Sequence, residues 1–194
     1  MKQTQLDRIH PPEQPRKFST KKRYRCARVG LDFIDTARYR FVSDVDLAIT
    51  PKQLFEVFSD ADSWSRWATA IAYVTWTSPK PYGVGTTRMV TMRGGIVSYA
   101  EFLAWESHSH LAFRLNQSTS KGTGAFVEDY QVQETPGGCH LRFTVAITPR
   151  GLATRLGMFI GRPVIARVFQ HFLHNLRRYT DARFGVVELG GSRW

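Results

Sequence analysis

The chain of 194 residues is long enough for one domain with an extension, and its 42% hydrophobic residues suffice for a sizeable core. No apolar run reaches the roughly 18 residues that would span a membrane, and the start of the sequence lacks an apolar signal segment. Two cysteines, Cys26 and Cys139, are too few for a disulfide framework or a cysteine zinc site. We therefore expect a cytoplasmic protein.

The net charge of +11 is concentrated at one end of the chain. Residues 1–28 hold nine basic and two acidic residues, together with three prolines and no apolar periodicity. We interpret residues 1–38 as a flexible basic arm and connector. The arm could bind an anionic membrane or a partner, or it could be a solvated tail. The remainder is only mildly basic, so we expect no binding to nucleic acid.

The first predicted elements after the arm are a strand and two short helices. Residues 41–49 alternate between apolar and polar side chains, which is typical of a half-buried strand. Thr50 and Pro51 predict a helix start, with the threonine as N-cap and the proline at the first helical position. This helix should cover residues 51–59, and a second helix with two tryptophans should cover residues 64–69.

Six further strands are predicted, each bounded by glycine, proline or serine turn signals. They are expected at 71–77, 86–93, 96–106, 111–117, 125–134 and 139–148. Gly157, Gly161 and Pro163 interrupt the helical pattern within residues 150–163, so we expect a bend there. A final amphipathic helix should follow over residues 162–184, with apolar side chains at a spacing of three and four residues.

Three segments of the sequence carry a resemblance to a known family. They read ITPKQLFEVFSDADSWSRW (49–67), PYGVGTTRMVTMRGG (81–95) leading to FLAWE (102–106), and FVEDYQVQETPGGCHLRFTVAITP (126–149). In this order they resemble the SRPBCC superfamily, specifically its polyketide cyclase/dehydrase and lipid-transport branch, over about residues 40–183. The resemblance implies an α+β helix-grip fold: a curved antiparallel sheet of about seven strands, two short helices and one long C-terminal helix. The ligand-binding domain would cover residues 39–184, followed by a loose tail over 185–194.

The helix-grip fold implies an apolar cavity between the sheet and the last helix, where related proteins bind lipids, sterols, quinones, polyketides or hormones. Strand parity and the apolar helix stripe nominate side chains that would face this cavity, although each could equally be core packing. The candidate ligand-binding residues are Tyr99, Phe113, Phe126, Glu128, Tyr130, Phe143, Val145, Val168, Phe169 and Phe172.

Two glutamates and two tryptophans near this cavity each have two possible placements. An inward Glu128 or Glu101 would have a raised pKa and could orient a ligand or transfer a proton. Either could instead pair with a strand arginine, the candidates being Arg88, Arg114 and Arg142. The tryptophans of the second short helix, Trp64 and Trp67, could form a lid over the cavity or pack beneath the end of the sheet.

The sequence lacks the motifs of several common catalytic and cofactor-binding sites. No G-x-S-x-G elbow, dinucleotide loop or phosphate loop occurs, so we expect no cofactor and assign no catalytic residue. His108 and His110 have a spacing that could clip a metal, but no third ligand is evident and we expect no metal site. His171 and His174 lie at the edge of the polar side of the last helix, where a solvated face is expected.

We predict that the protein binds, and in one reading transports, a hydrophobic small molecule such as a lipid, a polyketide or an isoprenoid. A second reading is an enzyme of the cyclase or aromatase kind that uses the same cavity. A third is a membrane- or partner-docking module that uses the basic arm. Arginines near the last helix could guide the protein to an anionic membrane or form a solvated face. They are Arg150, Arg155, Arg162, Arg167, Arg177 and Arg178.

Overall fold

The computed structural model describes residues 21–185, so most of the predicted tail over 185–194 and the first part of the predicted arm lie outside the described residues. The strands are β1 (Tyr24–Arg25), β2 (Tyr39–Leu47), β3 (Ile71–Trp76), β4 (Thr87–Met92), β5 (Val97–Glu106), β6 (His110–Ser118), β7 (Thr123–Thr135) and β8 (Gly138–Pro149). The helices are α1 (Phe33–Thr36), α2 (Pro51–Ser59), α3 (Trp64–Trp67) and α4 (Leu152–Phe184).

The predicted α+β helix-grip fold is confirmed. Seven antiparallel strands form one curled sheet in the order β2-β8-β7-β6-β5-β4-β3, and α4 packs across it. The helix start at Thr50 is also confirmed, because its hydroxyl accepts from the backbone of Gln53 while the Gln53 side chain accepts from the backbone of Thr50. This capping box fixes the point at which the chain leaves the edge strand β2 and begins α2.

The short strand β1 lies beside β6, where β7 has diverged from it. The pairing of β6 with β7 ends at Arg114 and Val127, and backbone groups further along β6 would otherwise lack partners. The Cys26 N–H donates to the carbonyl of Asn116 at 2.9 Å, and the Ala27 N–H donates to that of Gly124 at 2.7 Å. The described end of the predicted flexible arm is therefore joined to the sheet. The division of the chain into domains stays a prediction.

The helix α4 differs from its prediction, because it begins at Leu152 and is not interrupted over residues 150–163. One helix of 33 residues runs through Pro163 to Phe184. The chain turns earlier, at Gly151, whose φ of 83° is in the left-handed region that favours glycine. The turn out of β8 is therefore complete before the helix begins. Among the described residues, no helix is both long enough and apolar enough to cross a bilayer.

The core lies between the inner face of the sheet and the helices α2, α3 and α4. Leu54 and Phe58 of α2 and Leu173 and Leu176 of α4 are completely buried in it. The C-terminal half of α4 therefore holds the helix on the sheet. The N-terminal half of α4 has no completely buried side chain.

The turn between β7 and β8 depends on a glycine that approaches the end of β2 closely. We expect Gly138→Ala to lower the free energy of unfolding by about 2 kcal/mol or more, since φ is strained for other residues and the new Cβ would clash with the carbonyl oxygen of Leu47. Chemical denaturation measures the change. Gly137→Ala is the matched control, because its Cβ would meet no atom within 4 Å. Equal stability of the two variants would contradict this account of the turn.

Candidate functional site

A cavity of about 280 Å³ lies between the inner face of the sheet, α3 and α4. This volume is near the lower end of the range for small-molecule sites. Aromatic and aliphatic side chains form most of the wall, with a few polar groups among them. The lining residues are Trp64, Trp67, Ala68, Ile71, Arg88, Val90, Met92, Ile96, Ser98, Phe113, Leu115, Ser118, Ser120, Thr123, Phe126, Glu128, Tyr130, Phe143, Phe169 and Phe172.

Seven of the ten nominated residues line this cavity. They are Phe113, Phe126, Glu128, Tyr130, Phe143, Phe169 and Phe172. Three of them, Phe126, Glu128 and Tyr130, alternate along β7, which pairs with β8 without a register shift from Ala125 onward. Regular pairing preserves the period of two on which strand parity depends. Whether these side chains bind a ligand stays a prediction.

The structure places the other three nominated residues, Tyr99, Val145 and Val168, outside the cavity wall. Tyr99 lies on the other face of β5, where the guanidinium of Arg23 is 4.4 Å from its ring centroid. The inner face of β5 instead carries Ser98, which lines the cavity, and the buried Ala100 and Phe102. Val145 is completely buried in the core, and Val168 is 41% exposed on the solvent side of α4.

Four aromatic rings connect α4 to the sheet along one side of the cavity. Phe169 meets the rings of Phe41 and Phe143 edge to face, with centroid distances of 5.5 and 5.8 Å. Phe172 contacts Phe169 in the same way at 6.1 Å. On the other side, Trp64 and Trp67 are both 1% exposed and both line the cavity, so they form part of its wall.

The half-buried Glu128 and the buried Tyr130 form a polar pair within the apolar wall. The Tyr130 hydroxyl donates to Oε2 of Glu128 at 2.6 Å. Burial raises the pKa of Glu128, while the hydrogen bond from Tyr130 and the charge of Arg88 act in the opposite direction. Burial, followed by the neighbouring carboxylate, raises the pKa of Tyr130 well above its ordinary value. The pair can therefore hold or exchange a proton inside the cavity.

Arg88 on β4 is the functional candidate that the sequence analysis missed. Its side chain is 1% exposed, and its guanidinium carbon lies 4.0 Å from the ring centroid of Trp64 and 4.2 Å from that of Phe113. Burial lowers the pKa of Arg88 to about 10, so it remains charged at neutral pH. Arg88 alternates along β4 with the apolar Val90 and Met92. This spacing in the sequence could have placed Arg88 on the inner face of the sheet. From the sequence alone, Arg88 was a candidate only as a partner for a glutamate.

The other polar candidates lie away from the cavity. Glu101 accepts from Asn116 at 2.6 Å and pairs with Arg114 and Arg28, each at 3.1 Å, on the outer face of the sheet. Glu101 therefore pairs with a strand arginine, which was the alternative to facing the cavity. His110 pairs with the buried Asp129 at 2.5 Å. Within residues 21–185 there is no group of three or more side chains that could hold a metal ion.

The Glu128–Tyr130 hydrogen bond gives a testable shift in acidity. We expect Tyr130→Phe to raise the pKa of Glu128 further, because the hydrogen bond that stabilises the ionised carboxylate is lost. A pH titration of the side-chain carboxyl carbon by NMR measures this change. The control is Tyr99→Phe, since the Tyr99 hydroxyl has no hydrogen-bond partner among the described residues. An unchanged or lowered pKa in Tyr130→Phe would contradict the proposed stabilisation.

Comparison with known proteins identifies two close mycobacterial relatives. The uncharacterized proteins Rv2574 of Mycobacterium tuberculosis and Mb2604 of Mycobacterium bovis are each 54% identical to this chain over 165 residues. In both cases the match covers 85% of this chain and 98% of the relative. The shared sequence therefore covers most of this chain and nearly all of each relative.

Solved structures of low sequence identity share the fold. Protein MLL2253 of Mesorhizobium loti has a TM-score of 0.57 at 18% identity, covering 74% of this chain and 98% of that one. A START superfamily protein of Mycobacterium smegmatis has a TM-score of 0.54 at 10% identity, covering 74% and 95%. The di-domain ARO/CYC protein StfQ from the steffimycin biosynthetic pathway has a TM-score of 0.58 at 14% identity, covering 80% and 55%.

The family assignment comes from the sequence of the domain itself. The family model described as polyketide cyclase / dehydrase and lipid transport matches residues 38–181, which include β2 to β8 and most of α4. The helix-grip architecture and the structural neighbours agree with this match. The chain therefore belongs to the polyketide cyclase / dehydrase and lipid transport family of the SRPBCC superfamily.

Proposed function

We propose that this protein binds a hydrophobic small molecule, of the lipid, polyketide or isoprenoid class, in the cavity between the sheet and α4. The observation that carries the proposal is the largely aromatic and aliphatic wall around a volume of about 280 Å³. Burial of about 200 Å² of apolar ligand surface would contribute roughly 5 kcal/mol, at about 25 cal/mol per Å². Glu128, Tyr130 and Arg88 would fix the orientation of the bound molecule.

Filling the cavity tests this proposal. We expect Val90→Phe to weaken binding of the neutral fluorescent probe N-phenyl-1-naphthylamine at least tenfold, because the larger ring would occupy space at the cavity wall. A fluorescence titration measures the affinity, and thermal unfolding monitored by circular dichroism checks that the variant is folded.

The matched control places the same substitution on the solvent face of another strand. Val42 of β2 is 45% exposed and does not line the cavity, so Val42→Phe should leave the affinity unchanged. A folded Val90→Phe variant that binds the probe as tightly as the wild type would overturn the cavity assignment.

A second candidate function is proton-transfer catalysis of the cyclase or aromatase kind in the same cavity. The half-buried Glu128, hydrogen-bonded to Tyr130 and close to the charge of Arg88, favours this candidate. When ionised, Glu128 would act as a general base toward an acidic C–H flanked by carbonyl groups. Substitution of Glu128 by glutamine separates the two functions, because a carrier would keep binding whereas an enzyme would lose turnover.

The exposed side of α4 favours a third function, docking to an anionic membrane. Leu152, Leu156, Phe159 and Ile160 are between 60% and 81% exposed and lie on the side of the helix that faces away from the sheet. The sequence between Glu134 and Asp181 contains seven arginines and no acidic residue. An apolar helix face flanked only by positive charge matches an anionic lipid surface, where each basic group contributes about 1 kcal/mol.

The basic arm is less suited to docking in the part that the structure describes. Arg28 pairs with Glu101, and Arg23 lies over the ring of Tyr99, so both side chains are engaged with the domain. Docking through residues 1–20 stays a prediction. A truncation that removes residues 1–20 alone would test it and leave β1 in place.

The docking surface on α4 can be tested with vesicles. We expect Phe159→Glu to lower cosedimentation with phosphatidylglycerol vesicles at least tenfold, because it places a negative charge in the apolar face. Val42→Glu, an exposed apolar position on the sheet, is the control. Equal binding of the two variants would contradict docking through α4. If the wild type instead forms a dimer that Phe159→Glu dissociates, and does not bind vesicles, this face contacts a second copy.

A further inference from the structure

Arg88 is a buried cation whose hydrogen-bonding capacity is incompletely used. It is 1% exposed and lines the cavity, yet its Nε and Nη1 have no hydrogen-bond partner among the described residues. A buried charge without a partner is strongly unfavourable, and such groups in proteins are normally paired. A molecule bound in the cavity could supply the acceptor that these N–H groups lack.

The surrounding aromatic rings contact the guanidinium of Arg88 but offer it no hydrogen-bond acceptor. Trp64 and Phe113 lie closest, and Phe102 and Trp76 follow at 5.1 and 5.7 Å from the guanidinium carbon. Such cation–π contacts stabilise the charge. They provide no oxygen acceptor for the N–H donors, which lie in the plane of the guanidinium.

Glu128 does not supply the missing acceptor in this structure. Its Oε2 accepts from the Tyr130 hydroxyl, and no hydrogen bond or ion pair joins it to Arg88 within the described part of the chain. The charges of Arg88 and Glu128 influence each other's pKa without a hydrogen bond between the two groups. The wall of the cavity therefore combines one permanent positive charge with a carboxyl group that is already hydrogen-bonded.

We propose that the molecule bound in this cavity is an apolar compound with a carboxylate group, and that the carboxylate accepts hydrogen bonds from the guanidinium N–H groups of Arg88, of which Nε and Nη1 have no partner among the described residues. This inference rests on the proposed function. The planar fork of arginine matches the two oxygens of a carboxylate, and a charge-assisted pair of this kind is strong when water is excluded. The neighbouring Glu128 opposes a doubly charged group such as a phosphate monoester, so a singly charged carboxylate fits best.

The test compares two probes of equal chain length, decanoate and decan-1-ol, by isothermal titration calorimetry at pH 7. We expect the wild type to bind decanoate at least tenfold more tightly than decan-1-ol. In Arg88→Gln, which removes the charge, decanoate binding should fall at least tenfold and decan-1-ol binding should change less than threefold. Arg88→Lys retains the charge but loses the fork, so its decanoate affinity should lie between those of the wild type and Arg88→Gln.

A second variant keeps the inference testable if substitution of Arg88 prevents folding. Glu128→Gln removes the negative charge that competes for Arg88, so it should strengthen decanoate binding more than decan-1-ol binding. Equal wild-type affinity for the two probes, or equal losses for both in Arg88→Gln, would overturn the carboxylate inference while leaving cavity binding intact. If neither decyl probe binds a wild type that binds N-phenyl-1-naphthylamine, the carboxylate inference is wrong, and if none of the three probes binds, the proposed function fails.

Discussion

The edge-to-face packing of Phe169 is the contact on which the cavity depends. Its ring touches Phe41 on the edge strand β2 and Phe143 on β8, so one side chain of α4 reaches two strands of the curled sheet. Rigid rings in this arrangement fill space less completely than flexible aliphatic chains would, and they hold the helix at a distance from the sheet. Leu173 and Leu176, one and two turns further along, anchor the helix in the core. The hollow lies between these anchors and α3.

The polar groups inside this hollow are too unfavourable to be explained as packing alone. Tyr130 and Arg88 are buried, Glu128 is half-buried beside them, and the three groups influence one another electrostatically. An apolar core of the same shape would often be at least as stable, because burying charged groups opposes folding. The presence of these groups supports the proposed function. The two proposed functions, carrier and enzyme, both require a ligand oriented beside these three side chains.

Much of this arrangement could be predicted from the sequence, for reasons that differ between elements. Phe126, Glu128 and Tyr130 were placed correctly because β7 is long and regularly paired. Tyr99 was misplaced because composition does not show which face of β5 is concave, and the register of β5 with β6 shifts next to it.

Three features could not be predicted from a local sequence pattern. The pairing of Tyr24 and Arg25 with β6 occurs where β7 has left β6, which the sequence of the arm does not reveal. The helix α4 continues through Pro163, and the chain turns earlier, at Gly151. The charge of Arg88 was visible in the sequence, but its burial among aromatic rings was not, because those rings come from α3, β3, β5 and β6.

The central claim is that the cavity takes up one hydrophobic molecule. Native mass spectrometry after equilibration of the purified protein with an organic extract of the expressing cells tests it most directly. The account predicts one equivalent of a hydrophobic compound on the wild-type protein, lost when the cavity is filled by a larger side chain. A wild-type protein that stays unloaded, or equal loading of the wild-type and the cavity-filled protein, would contradict it.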